Sequence, residues 1–278
     1  MRTIAVVNRK GGSAKTTTAV SLSAVLAANG SSVLLIDLDP QASASAWLGA
    51  AFEDRGLFDA FVGTRDLGSM AVRTTVPGLD VLPASPWLLT AEQTLKGDMS
   101  VGVFRAIDRL RPDWDFVIID CPPSLSYLAV GALMAVREVI IPVEAHSIAL
   151  PGVAAVVREM SRIQSDLNPH LQSPMIVACR VNRTVHARRV VDELDRTYGW
   201  RLARARIRES IRLAEAEAAR MPISTYAPQS GACLDYRLLA DEVLRREEAA
   251  EPSSSSGSRL HRLLTRTARF TAFRHRAV

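Results

Sequence analysis

A doubly wound α/β fold, a mostly parallel sheet with helices on both faces, is predicted for this 278-residue chain by three observations. Short apolar runs rich in Val and Ile alternate with helix-length segments, the pattern of successive βαβ units. Three of those runs lead directly into polar, chemically distinctive stretches at residues 8–17, 37–41 and 120–124. Ligand chemistry in open α/β sheets gathers at such strand ends.

The first strand is Thr3-Ile4-Ala5-Val6-Val7, and it feeds Asn8-Arg9-Lys10-Gly11-Gly12-Ser13-Ala14-Lys15-Thr16-Thr17. The ordinary phosphate-binding loop has glycine where this chain has Ala14 and Arg9, so that pattern fails at both places. A variant, Lys-Gly-Gly-x-x-Lys-Thr, fits. The chain has only three lysines (Lys10, Lys15, Lys96) against 31 arginines, so two lysines in one loop point to a need for compact ammonium charges. Gly11 and Gly12 allow backbone N–H groups to curl around phosphate oxygens. A helix beginning at Ser13 adds the partial positive charge of its N-terminus. Lys15 is expected to reach the β- and γ-phosphates, and the Thr16 hydroxyl to meet Mg²⁺.

The helix through Ala28 is closed by Asn29-Gly30, and Val33-Leu34-Leu35-Ile36 is a buried strand running into Asp37-Leu38-Asp39-Pro40-Gln41. Residues 49–100 carry no chemical signature, and within them Gly78-Leu79-Asp80-Val81-Leu82-Pro83 reads as a short edge strand stopped by proline. A helix over 104–110 precedes Phe116-Val117-Ile118-Ile119, a strand ending in Asp120-Cys121-Pro122-Pro123-Ser124. Further strands are expected at 139–143, 175–181 and near 202–205, with helices at 125–136, 153–163, 187–198 and 234–246.

Composition narrows the class. Hydrophobic residues make up 48% of the chain, enough for a substantial core in one domain. No apolar run approaches the roughly 18 residues of a membrane span, and the first strand starts at once, so the sequence reads as lacking a signal peptide. The cysteines Cys121, Cys179 and Cys233 form no close pair, which argues against a disulfide framework or zinc ribbon. A cytoplasmic protein is expected. The net charge of +5 is unevenly spread: residues 180–220 hold 11 Arg against 6 acidic groups, and residues 259–278 hold six Arg and no acid. By subtraction from 34 basic and 29 acidic groups, the remainder carries 17 basic and 23 acidic ones. Local basic excess is the footprint of a polyanionic partner, although Asp192, Glu193 and Asp195 partly balance the first region. The domain plan is therefore a main domain over 1–248, a Ser-rich linker over 249–258 and a basic tail over 259–278, amphipathic if helical and otherwise disordered.

The combination Lys10-Gly11-Gly12-x-x-Lys15-Thr16-Thr17, Asp37-Leu38-Asp39-Pro40-Gln41 and Asp120-Cys121-Pro122-Pro123-Ser124 resembles the ParA/Soj partition ATPases, the deviant Walker A class of P-loop NTPases that includes MinD. Ile141-Pro142-Val143-Glu144, Arg212-Leu213-Ala214-Glu215-Ala216, Pro222-Ile223 and Tyr226-x-Pro228-x-x-Gly231-Ala232 extend the likeness over roughly residues 1–248. The resemblance implies a weak ATPase with ATP and Mg²⁺ as cofactors. Its ATP-bound homodimer would coat DNA non-specifically, placing it on the nucleoid, and a ParB-like centromere-binding partner would stimulate hydrolysis.

Residue by residue, the resemblance implies nucleotide contacts from Lys10, Gly11, Gly12, Ser13, Ala14, Lys15, Thr16 and Thr17. Lys10 would act across the dimer on the partner's nucleotide, Lys15 within its own subunit, and Asp39 on the attacking water. Thr16, Asp37 and Asp120 would serve the metal site. Asn182, in Val181-Asn182-Arg183, would read the adenine edge, beside its plain alternative as a strand-end Asx turn. Arg188, Arg189 and Arg212 would contact DNA. The chain departs from the family at Ala14, at Arg208-Glu209 in place of proline-arginine, and at Ala214-Glu215-Ala216-Glu217 in place of Ser-Glu-Ala-Pro. A MinD-like membrane-associated positioning ATPase, anchored by the tail, is the alternative.

Overall fold

A computed structural model describes residues 1–51, 54–145 and 150–248. The linker and tail expected at 249–278 therefore lie outside the described residues. The strands are β1 (Arg2–Val6), β2 (Val33–Asp37), β3 (Val72–Arg73), β4 (Leu79–Leu82), β5 (Phe116–Asp120), β6 (Glu138–Glu144) and β7 (Met175–Cys179). They form one sheet in the order β3-β4-β2-β5-β1-β6-β7, parallel except for the β3–β4 pair. Strands β2 and β5 are buried along their whole length, as their near-continuous apolar sequences require when helices cover both faces.

The helices are α1 (Lys15–Ala28), α2 (Ser43–Trp47), α3 (Leu57–Phe61), α4 (Trp87–Leu95), α5 (Gly97–Asp108) and α6 (Tyr127–Ala135). They continue with α7 (Leu150–Asp166), α8 (Val185–Tyr198), α9 (Ile211–Ala218), α10 (Ile223–Tyr226) and α11 (Gly231–Glu248). Two cores result, one on each face of the sheet. Leu22, Val25 and Leu26 of α1 pack with Tyr236, Leu239 and Val243 of α11 on one side. Val103, Phe104, Leu133 and Val156 from α5, α6 and α7 pack on the other. Helix α1 is buried on nearly every side, its Thr18, Ser21 and Ser23 included, and sits between the sheet and α11.

Three differences from the sequence reading have physical causes. Strand β4 is not an edge strand, because β3 pairs outside it; a two-residue antiparallel strand leaves no readable period. Helix α1 starts at Lys15 rather than Ser13, since Ala14 takes the left-handed conformation with φ +64°. The strand expected over 175–181 ends at Cys179, where Arg180 turns left-handed (φ +52°), and Val181 makes only an isolated bridge to Arg208. Residues 202–209 nevertheless run beside β7: Ala203 N–H donates to Ile176 at 2.7 Å and Ile207 N–H to Ala178 at 2.9 Å.

The register matters most for the site. Asp37 lies opposite Asp120 across β2–β5, and Val6 opposite Asp120 across β1–β5. The glycine loop after β1 and two acidic strand ends are thus brought to one edge of the sheet.

Candidate active site

Asn8 fastens the loop after β1 to the sheet. Its Nδ2 donates to the Pro142 carbonyl at 2.7 Å, and its Oδ1 accepts from the Lys10 N–H at 3.2 Å. Gly12 (φ +71°) and Ala14 (φ +64°) turn the backbone into a concave path. No side chain caps the start of α1, so its first N–H groups keep their capacity to bind an anion. Lys15 folds over the loop, with its Nζ donating to the Lys10 carbonyl at 3.4 Å. Burial lowers the Lys15 ammonium from its ordinary value, while the charges of Asp120 and Asp39 act in the opposite direction. The Ser13 hydroxyl is buried in the same loop without a hydrogen-bond partner.

The three acids at the strand ends have different surroundings. Asp37 is fully buried and fully engaged: Oδ2 accepts from the Ser45 hydroxyl at 2.6 Å and the Ser45 N–H at 2.8 Å, and Oδ1 from the Asp39 N–H at 3.1 Å. Burial raises its carboxyl to about 6 despite those bonds. Asp120 is also fully buried, yet neither carboxylate oxygen has a hydrogen-bond partner. Burial and the Asp37 charge push its carboxyl well above the ordinary carboxylate range; the nearby Thr16 hydroxyl and Lys15 only moderate this. Asp39 is partly exposed and accepts from the Gln41 N–H at 3.0 Å.

An orphaned buried carboxylate beside a threonine hydroxyl suits a hard divalent cation that keeps most of its water shell. Among the described residues there is no cluster of three or more His, Cys, Asp or Glu side chains able to cage a metal by themselves. Thr16 and Asp120 therefore fit Mg²⁺ as partial donors whose remaining ligands come from water and phosphate. Asp37, which accepts from Ser45 and the Asp39 N–H, anchors the 37–45 segment next to Asp120.

Beside the loop lies a cleft of about 410 Å³, lined by Ala14, Thr17, Arg180, Glu209, Ile211 and Tyr236 among others. At its base the Tyr236 hydroxyl meets Thr18 Oγ1 at 3.5 Å. The cleft continues directly from the phosphate loop, which is the arrangement a nucleoside triphosphate needs.

Residues 1–173 match a family model described as an AAA domain. The chain is 38% identical over 252 residues to the chromosome-partitioning ATPase Soj of Thermus thermophilus, covering 90% of this chain and 98% of that protein. It is 36% identical over 245 residues to the sporulation initiation inhibitor protein Soj of Bacillus subtilis, covering 86% and 97% respectively. The chain belongs to the ParA/Soj family of partition ATPases. In structure it is similar to cobyrinic acid a,c-diamide synthase from Mycobacterium smegmatis, solved with a bound ATP analog and magnesium, with 31% identity, a TM-score of 0.78 and coverage of 92% of this chain and 100% of that one. As a ParA/Soj member this protein is an ATPase built on a P-loop fold, and nucleotide with magnesium is the ligand class the family takes.

In this ParA/Soj chain the remaining predicted residues lie at the start of the loop, beside the cleft or out on α8. Lys10 is exposed, with its Nζ 3.4 Å from Glu144 Oε2. Asn182 forms an Asx turn: its Oδ1 accepts from the Thr184 N–H and hydroxyl, at 3.2 and 2.7 Å, and its Nδ2 donates to Glu209 at 3.3 Å. Thr184 then caps α8 by accepting from the Ala187 N–H. Arg188 and Arg189 are exposed on the first turns of α8, whose opposite face buries Ala187, Val190, Val191 and Leu194. Arg212 pairs with Glu215 at 2.8 Å, which offsets its charge locally, and Glu217 lines the cleft. Arg208 is held by Asp235 through two bonds of 2.7 and 2.8 Å. Its guanidinium lies over Gly231, where a Cβ would collide with it.

Sequence reading missed Asn8, Ser45, Arg180 and Tyr236. Asn8 had a signal, an amide immediately after a strand. Ser45, Arg180 and Tyr236 had none, since each reaches the site only through tertiary contact.

Proposed function

We propose that this protein is a DNA-partition switch whose ATP-bound homodimer binds DNA without sequence preference, and whose hydrolysis a ParB-like partner stimulates to release it. The likeness to chromosome-partitioning ATPases carries the partition reading, and the buried Asp120 carboxylate beside Lys15 at the end of the phosphate loop supports its nucleotide part. Backbone N–H groups of residues 11–17 would hold the phosphates, with Lys15 on the β- and γ-oxygens. Mg²⁺, held through Thr16 and Asp120, would offset phosphate charge at this point. Asp39 would orient the attacking water, while Asp37 would keep the 37–45 segment in register with it. Lys10 would stabilise transition-state charge on the partner's nucleotide. Asn182 would read the adenine edge after giving up its bond to Glu209.

For DNA, Arg188 and Arg189 are the stronger candidates, because both are exposed at the start of α8; Arg212 would have to leave Glu215. Contacts of this kind go to phosphate and position the protein without reading bases. Such a protein would work in the cytoplasm and associate with the nucleoid when ATP-bound. Co-sedimentation with DNA and, separately, with liposomes, each with and without ATP, tests the reading on the full chain. ATP-dependent DNA binding is expected; ATP-dependent liposome binding without DNA binding would establish the membrane alternative instead. Among the described residues no helix is long and apolar enough to cross a membrane.

A further inference from the structure

We propose that Glu144 is a positioning residue that holds Lys10 and Arg180 away from nucleotide phosphate until a charged ligand displaces it, so that it restrains hydrolysis. The proposal rests on the reading of Lys10 as the lysine that acts across the dimer. Glu144 ends β6 with its side chain only 11% exposed, and both oxygens face cations: Oε2 is 3.4 Å from Lys10 Nζ, and Oε1 is 2.8 Å from Arg180 Nη1. Those cations are 54% and 59% exposed, so two solvent-reaching arms converge on one nearly buried carboxylate.

Both arms belong to the site. Lys10 opens the phosphate loop, and Arg180 lines the adjoining cleft with Ala14 and Thr17. The carboxylate is the rigid member of the trio. Glu144 is in register with Cys179 on β7, and Asn8 ties the loop to Pro142 of the same strand. The loop and the carboxylate that restrains its lysine therefore share one strand as their reference. Of the acids at the strand ends, Asp37 faces Ser45, Asp39 faces Gln41, and Asp120 faces the Lys15 and Thr16 side, while Glu209 and Glu217 line the cleft that Arg180 enters. The Lys10–Glu144 contact is long and its lysine is half exposed, so a multiply charged phosphate can draw Lys10 away from Glu144.

The test is a double-mutant cycle on the full chain, measuring Mg-ATP hydrolysis against protein concentration and ATP affinity separately. Glu144→Gln keeps the shape and removes the charge. Turnover should rise by about two- to fivefold, the range open to a weak ion pair, with a smaller change in ATP affinity. In a Lys10→Ala background the same substitution should raise turnover by a smaller factor, since only Arg180 is then released. Glu144→Asp, which keeps the charge but shortens the arm, should raise turnover to a smaller extent and serves if the Gln variant does not fold. Unchanged turnover in both variants, or an equal rise without Lys10, overturns the proposal. The reading beneath it fails in a different way: Lys10→Ala alone would then hydrolyse ATP like the parent.

Discussion

Ala14 places a Cβ in a left-handed backbone conformation (φ +64°), which costs an L-residue about 1–2 kcal/mol. The loop retains that conformation because Asn8 and the start of α1 hold it on either side. Ala14→Gly should therefore raise stability by about 1 kcal/mol, read as a shift in urea midpoint. An unchanged or lower midpoint would show that the loop does not carry the strain. Asp120 is a second point of cost, since its carboxyl is buried without a hydrogen-bond partner and resists ionisation. Asp120→Asn is expected to stabilise the nucleotide-free protein at neutral pH while removing the tightening of ATP binding by Mg²⁺. Both effects can be followed by thermal unfolding with and without Mg-ATP. Ser45 acts in the opposite sense: Ser45→Ala would remove one of the two bonds to Asp37 Oδ2, leave the buried Ala84 N–H without its acceptor and destabilise by about 1–3 kcal/mol.

Elements set the pH response. Strands β2 and β5 end side by side in Asp37 and Asp120, and burial raises both carboxyls above their ordinary 3.8. The folded protein thus keeps protons that the unfolded chain has already released. Stability from these groups is complete below pH 4 or so and falls as pH rises toward the Asp37 value of about 6, with the raised Asp120 carboxyl adding to the decline. Mg²⁺ affinity should increase over the same range, because the metal requires the ionised carboxylate. Urea titrations from pH 4 to 8 would reveal the slope, and a slope of the opposite sign would contradict the assignment. These strands were legible in the sequence as apolar runs ending in acid. Helices α2, α3, α9 and α10 were not, as four to eight residues hold too few turns for a period to emerge.

At the scale of the molecule, function turns on whether exposed charge on α8 meets a polyanion. Replacing Arg188 and Arg189 together by Glu should weaken DNA binding across all sequences and flatten its salt dependence, by about 0.9 in the log–log slope for each phosphate the variant no longer neutralises. Filter binding at several salt concentrations measures this, and an unaltered slope would move the DNA surface elsewhere. The basic region over 180–220 was visible as composition, but composition could not show how the arginines divide. Arg208 is held by Asp235, Arg212 by Glu215 and Arg180 by Glu144, whereas Arg188 and Arg189 face solvent.

The sequence by itself determined the alternation of strand and helix, the phosphate loop with its two lysines, and the acids at the strand ends. All are local, because each motif follows its own strand within a few residues. Only the tertiary structure decided what those residues face. Parallel pairing set Asp37 against Asp120, the turn from β2 into α2 brought Ser45 back onto Asp37, and the neighbouring ends of β6 and β7 placed Glu144 between Lys10 and Arg180. Burial and charge partnership are properties of the packed chain, and they separate a free carboxylate from an occupied one.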